Sequence, residues 1–117
     1  MSEEKNMLQI ELESMKRVDL VTVAGRIDSS NAGELEKTLS GIIGSGRFNI
    51  ILELSQLTYM SSAGLRAIVS TLRECKKRFG DLRLAAPSER VTEVLDLAGL
   101  MPLFEIYEDT TAAVGSF

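Results

Sequence analysis

Leu8, Ile10 and Leu12 alternate with Gln9, Glu11 and Glu13, the period of two that marks a strand with one face in water. Leu20 to Ala24 is a second strand-like run, and the short Met15-Lys16-Arg17 connection predicts an antiparallel hairpin that ends at Gly25. The period then changes. Ala32, Leu35, Leu39, Ile42 and Ile43 recur at helical spacing behind Ser29-Ser30-Asn31, which are residues suited to capping a helix, with Glu34 three residues after Asn31. Gly44-Ser45-Gly46 stops this first helix. Phe48 to Leu54 is then almost continuously apolar, as in a central strand covered on both faces, with Glu53 its one charge.

A second helix is predicted from about Ser62 to Phe79, with Leu65, Ile68, Val69, Leu72, Cys75 and Phe79 on one stripe. Arg66, Arg73, Lys76, Lys77 and Arg78 make its other face basic, the last three complement the helix dipole, and Gly80 is placed to close the helix. Leu82 to Ala86 reads as a fourth strand. Pro87-Ser88 opens a third helix with Val91, Val94, Leu95 and Ala98 inward and Gly99 as its stop. Phe104 to Tyr107 reads as a last short strand, and Asp109 caps a terminal helix carrying Ala112, Ala113 and Val114. The order ββαβαβαβα implies parallel crossovers. The expected architecture is one α/β domain over residues 1–117, with a mixed, mainly parallel sheet, an antiparallel N-terminal hairpin, about four helices and a tail at about residues 1–6.

Composition narrows the chemistry. The 117 residues contain no His and a single cysteine, Cys75, so no disulfide, His-ligated metal site or Ser-His-Asp triad can be built within the chain. A carboxylate-ligated hard ion is the metal chemistry left open, but no Asp-rich loop of the calcium-binding kind is present, so neither a metal nor a cofactor is expected; with only carboxylates, Lys and hydroxyls and no convergent set of them, neither is enzyme activity. With 17 acidic and 13 basic residues the chain is poorly equipped to neutralise phosphates, which favours a protein partner over nucleic acid. The start, Met1-Ser2-Glu3-Glu4-Lys5-Asn6, lacks the basic and apolar regions of a signal peptide, and no apolar run approaches the ~20 residues of a membrane span. A cytoplasmic location without membrane insertion is expected.

Three enzyme motifs fail on spacing. Gly41 to Phe48 places Arg47 and Phe48 where a phosphate loop needs Lys and Ser/Thr, and it lies between a helix and a following strand, the wrong order. Gly44-Ser45-Gly46 meets Asn49 at the third glycine position of a dinucleotide fingerprint. Ser62-Ala63-Gly64 has Met60 where a nucleophile elbow has its first glycine, and the histidine is missing. There remains the segment from Leu54 to Arg66, joining the most apolar strand to the longest helix. A serine at that junction serves either as a helix cap or as an acceptor for a phosphoryl group whose charge the helix terminus helps to hold. Cys75, on the apolar stripe, reads as a small core residue, and the cations from Arg73 to Arg78 read as a solvated face.

Val23-Ala24-Gly25-Arg26-Ile27-Asp28 and Tyr59-Met60-Ser61-Ser62-Ala63-Gly64-Leu65-Arg66 resemble two segments of the STAS domain family, and within it of the stand-alone bacterial anti-sigma factor antagonists. The resemblance covers nearly the whole chain. It implies phosphorylation at Ser62, with Ser61 the alternative because it stands where many members have Asp. It also implies a partner surface drawn from Asp28, Ser29, Tyr59, Met60, Ser61, Ser62, Gly64, Leu65 and Arg66. The implied partners are an anti-sigma factor serine kinase, which would bring ATP and magnesium, and a reactivating phosphatase, with the domain itself a monomer or weak dimer. Binding the kinase would free a sigma factor, and phosphorylation would end the binding. The alternative implied by the same family is an accessory subunit of a lipid-trafficking transporter or of a non-sigma signalling pathway.

Overall fold

The N-terminal hairpin is present in the computed structural model, which describes residues 8–117, as strands β1 (Gln9–Ser14) and β2 (Asp19–Ile27). Gln9 faces Ala24 and Ser14 faces Asp19 in antiparallel register, and the Met15 amide donates to the Val18 carbonyl across the turn. The expected tail at residues 1–6 and the reading of the amino terminus lie outside the described residues.

β2 does not end at Gly25. That residue adopts φ 98°, a conformation open to glycine at little cost, and the strand continues to Ile27 with a register shift between Gly25 and Arg26. The irregularity sits where β2 changes partner: Asp19 to Thr22 pair in parallel with β3 (Asn49–Glu53), whereas Gly25 to Ile27 pair in parallel with β4 (Leu57–Met60). β4 is an element the hydrophobic pattern does not predict. Its two buried residues, Leu57 and Met60, are three apart, which breaks the alternation expected of a strand. β5 (Asp81–Ala85) lies parallel to β3, and the two-residue β6 (Ile106–Tyr107) lies parallel to β5. The sheet order is β1-β2-β3-β5-β6 with β4 beside β2, so the described residues form six strands where the pattern suggests five.

The described residues also form four helices, α1 (Ala32–Gly44), α2 (Ser62–Lys77), α3 (Glu89–Leu97) and α4 (Thr110–Gly115). Strand alternation divides the core in two. Val21, Val23, Ile50, Leu52, Leu82 and Leu84 point toward Leu35 and Leu39 of α1, Ile68, Leu72 and Cys75 of α2, and Val91 and Leu95 of α3. The residues between them, Leu20, Ile51 and Ala85, join Val18 on the opposite face under Ala113 of α4.

The predicted stripe of α2 needs correcting. The helix ends at Lys77, and Phe79 stands 98% exposed at φ 65°, while Ala67 and Thr71 take buried positions and Leu65 and Val69 are only half-buried. The chain turns there because the Gly80 amide donates to the Cys75 carbonyl at 2.8 Å, and a Cβ on Gly80 would stand 2.0 Å from the Phe48 carbonyl oxygen. Ala98 is an exposed C-cap of α3, not an inward residue. Phe104 is buried but follows a 3-10 turn (Met101–Leu103), and strand pairing begins only at Ile106. The caps expected at Ser88 and Asp109 are in place, each accepting a hydrogen bond, from the Val91 amide at 3.2 Å and the Ala112 amide at 2.8 Å. Among the described residues no helix is long and apolar enough to cross a membrane.

Candidate functional site

Parallel pairing of β2 and β4 brings the two sequence motifs to one edge. Ile27 pairs with Met60, the Ser61 amide donates to the Ile27 carbonyl at 2.9 Å, and beyond this rung β2 leads into α1 while β4 leads into α2. The edge is therefore built from the carboxyl end of two strands and the amino end of a helix, the usual place for function in a parallel sheet.

The two serines at the start of α2 have different surroundings. Ser61 is the N-cap: its backbone is extended (φ −83°, ψ 170°), its Oγ accepts from the Gly64 amide at 3.3 Å, and its carbonyl accepts from the Leu65 amide at 3.1 Å. Ser62 is the first helical residue, exposed, and its hydroxyl makes no hydrogen bond among the described residues. The amides of Ser62 and Ala63 lie in the first helical turn, where they lack intrahelical acceptors. The result is a free hydroxyl next to unpaired donors at the positive end of a helix. Arg66, also exposed, follows one turn along.

Gly64 lets this turn sit down on the sheet. A Cβ there would lie 2.7 Å from Ile27 Cγ2 and 3.2 Å from Met60 Cγ. Met60 itself is 3% exposed and Gly64 is buried, so these two form the floor of the edge and are not free to touch a partner, contrary to the expectation for them. Leu65 is half-buried against the main core.

On the other side of the edge, Asp28 and Ser29 begin the turn before α1; Asp28 is half-buried and Ser29 exposed. Asp28 Oδ1 accepts from the Ser30 hydroxyl at 2.6 Å and the Ser30 amide at 2.9 Å. These two bonds, the hydroxyl first, hold the carboxyl below the usual carboxylate range against an opposing effect of burial, with help from the Asn31 backbone and the Arg26 charge. Asn31, expected to cap α1, does not: its Oδ1 accepts from the Asp28 amide and its Nδ2 donates to the Arg26 carbonyl, both at 2.9 Å. The side chain serves the turn, so no capping box forms with Glu34.

Arg26 joins this edge, a residue that motif and spacing do not mark as part of the site. Its guanidinium lies 4.4 Å from the centroid of the Tyr59 ring, and both side chains are half-buried. That pairing follows from the Arg26–Tyr59 register of β2 and β4, invisible without β4. No group of three or more Asp, Glu or Cys side chains placed to hold a metal ion is found among the described residues.

The STAS domain family matches residues 9–113. BtrV of Bordetella bronchiseptica, named as a candidate anti-sigma factor antagonist, is 30% identical over 107 residues, covering 89% of this chain and 92% of its own length. The anti-sigma-B factor antagonist of Staphylococcus aureus is 29% identical over 103 residues, covering 88% of this chain and 95% of its own. Similarity extends to the crystal structure of an anti-sigma factor antagonist from Mycobacterium paratuberculosis, with a TM-score of 0.85 at 22% identity, covering 95% of this chain and 94% of that one.

Proposed function

The chain belongs to the STAS domain family, and from that premise we propose that it acts as an anti-sigma factor antagonist switched at Ser62. In the unphosphorylated form it binds an anti-sigma factor serine kinase through the β2–β4 edge and the start of α2, and a sigma factor is released. The kinase, with its own ATP and magnesium, then forms an O–P bond at Ser62 Oγ as the bond between the β- and γ-phosphoryl groups breaks. ADP leaves, and the hydroxyl proton passes to a base of the kinase, since this chain has no histidine to take it. A phosphatase restores the free hydroxyl.

The observation that carries this reading is the exposed hydroxyl of Ser62 at the first residue of α2, without a hydrogen bond among the described residues. Ser61 is the weaker acceptor because its hydroxyl is engaged by the Gly64 amide. A phosphoserine adds about 1.5 to 2 negative charges. Helix amides and Arg66 accommodate that charge within the domain, so the fold survives. A partner surface matched to a neutral hydroxyl does not accommodate it, and each 1.4 kcal/mol of mismatch is about a tenfold loss of affinity.

Incubation with the cognate kinase and ATP tests the assignment by mass spectrometry. One phosphate is expected on the wild type and on Ser61→Ala, and none on Ser62→Ala; undiminished labelling of Ser62→Ala overturns it. Titration calorimetry extends the test. Ser62→Asp is expected to lose kinase binding while melting like the wild type, and equal binding by both would remove this helix start from the contact.

A further inference from the structure

The face of α2 that carries Ser62 continues along the helix, since Val69 and Arg73 fall within about 20° of it at about 100° per residue. Val69, Leu72, Arg73, Lys76 and Lys77 fall at spacings of three and four along its carboxyl-terminal half, and with Leu103 of the 3-10 turn they line an open groove of about 560 Å³. The groove begins roughly 10 Å along the helix axis from Ser62, at 1.5 Å per residue. Its floor is apolar: Val69 is half-buried, Leu72 is 5% exposed and Leu103 is 47% exposed.

One wall is cationic. Arg73 pairs with no carboxylate among the described residues, and the exposed Lys76 and Lys77 make only long contacts, to Asp81 at 3.4 Å and Glu74 at 3.3 Å. On a chain of net charge −4, residues 73–78 carry four cations and one carboxylate. Complementing the helix dipole accounts for charge in the last turn. It does not account for the apolar floor between the cations and Leu103.

We propose that this groove docks an acidic, amphipathic helical segment of a partner protein, its apolar side chains on Val69, Leu72 and Leu103 and its carboxylates on Arg73, Lys76 and Lys77. Charge complementarity selects an acidic occupant. A helix is selected over an anionic membrane because Leu103 is the one exposed apolar side chain of the lining, too little to insert into a bilayer, whereas half-buried Val69 and buried Leu72 are reached by side chains laid along α2.

The test uses displayed random peptides of about four helical turns, selected against the full chain. Enriched sequences are expected to combine Asp or Glu with two bulky apolar residues at helical spacing. The best peptide, titrated into isotope-labelled protein, is expected to shift the amides of Val69, Leu72 and Leu103 and to weaken with added salt. Arg73→Glu and Leu103→Ser, both at exposed positions, are each expected to lower affinity about tenfold without changing the melting curve. The proposal is overturned by failure of acidic peptides to enrich, or by unchanged affinity in both variants. Binding of phosphatidylglycerol vesicles that is lost in Arg73→Glu, with no peptide bound, would also overturn it and identify a lipid surface instead.

Discussion

Ser61 and Ser62 carry the same side chain one peptide unit apart, and only Ser61 closes a hydrogen bond to the helix backbone. Loss of an N-cap hydroxyl costs about 1 kcal/mol, so Ser61→Ala is expected to lower stability by about that amount in urea unfolding, while Ser62→Ala stays within about 0.5 kcal/mol of wild type. Gly64→Ala tests the packing beneath them. Alanine gains about 1 kcal/mol of helix propensity, but its Cβ meets the buried Ile27 methyl at 2.7 Å, and overpacking of about 1–3 kcal/mol leaves a net loss. Cys75 makes a pH prediction. Burial, followed by the Asp81 and Glu74 carboxylates, pushes its thiol up from 9.0 to about 11. The folded state thus holds the proton more tightly than the unfolded state. This contribution to stability is whole below pH 9 and is lost as pH rises through 11, whereas Cys75→Ser or Cys75→Ala should flatten that slope in melts taken across the range.

The carboxyl end of α2 illustrates what an element's pattern reveals and conceals. Phe79 continues the apolar spacing of the helix, yet the helix ends before it, because the closing bond from the Gly80 amide to the Cys75 carbonyl places the intervening Phe79 in the left-handed region. A bulky side chain in that region costs about 1–2 kcal/mol, and at 98% exposure Phe79 recovers nothing by burial. Phe79→Gly is expected to raise the melting temperature by about 3–6 °C despite its looser unfolded chain, and an unchanged or lower value would show that the aromatic ring contributes contacts of its own. The same logic explains what was legible elsewhere. β1, α1 and α3 could be read from spacing, as could the caps at Ser88 and Asp109, because their determinants lie within a few residues of each other, although Leu12, on the expected dry face of β1, stands 50% exposed. β4, the continuation of β2 past Gly25, and the Arg26–Tyr59 stack could not, because each depends on a register between distant segments. At the site, the Ser61-Ser62-Ala63-Gly64 motif located the helix start, but only the hydrogen bond to Gly64 distinguishes cap from first residue. Burial likewise moved Met60 and Gly64 from the surface to the floor.

At the scale of the whole molecule the sheet is covered unequally. Among the described residues, α1, α2 and α3 share one face with the large core and with the Ser62 edge, whereas the helix on the opposite face is α4, of 6 residues. That helix is fastened by more than Ala113. Arg83 on β5 donates through Nη1 to the Ser116 carbonyl at 2.7 Å and its hydroxyl at 2.8 Å, through Nε to Asp81 at 2.9 Å, and lies 4.0 Å from the Phe117 ring centroid. A chain ending at Asp109 would uncover Leu20, Ile51 and Ala85 and leave the half-buried Arg83 facing Asp81 and, at 3.7 Å, Glu105. Exposing that apolar surface and removing charge-assisted hydrogen bonds is expected to cost about 2–4 kcal/mol in urea unfolding. Because α4 and Ser62 lie on different faces, the loss should be felt unevenly. Amide exchange is expected to accelerate in β5 and β6, while the amide chemical shifts from Ser62 to Arg66 stay at their wild-type positions. If those shifts move as far as the ones in β5, the two faces of the sheet are coupled, and the Ser62 edge is held in place by the whole domain instead of by the β2–β4 pairing beneath it.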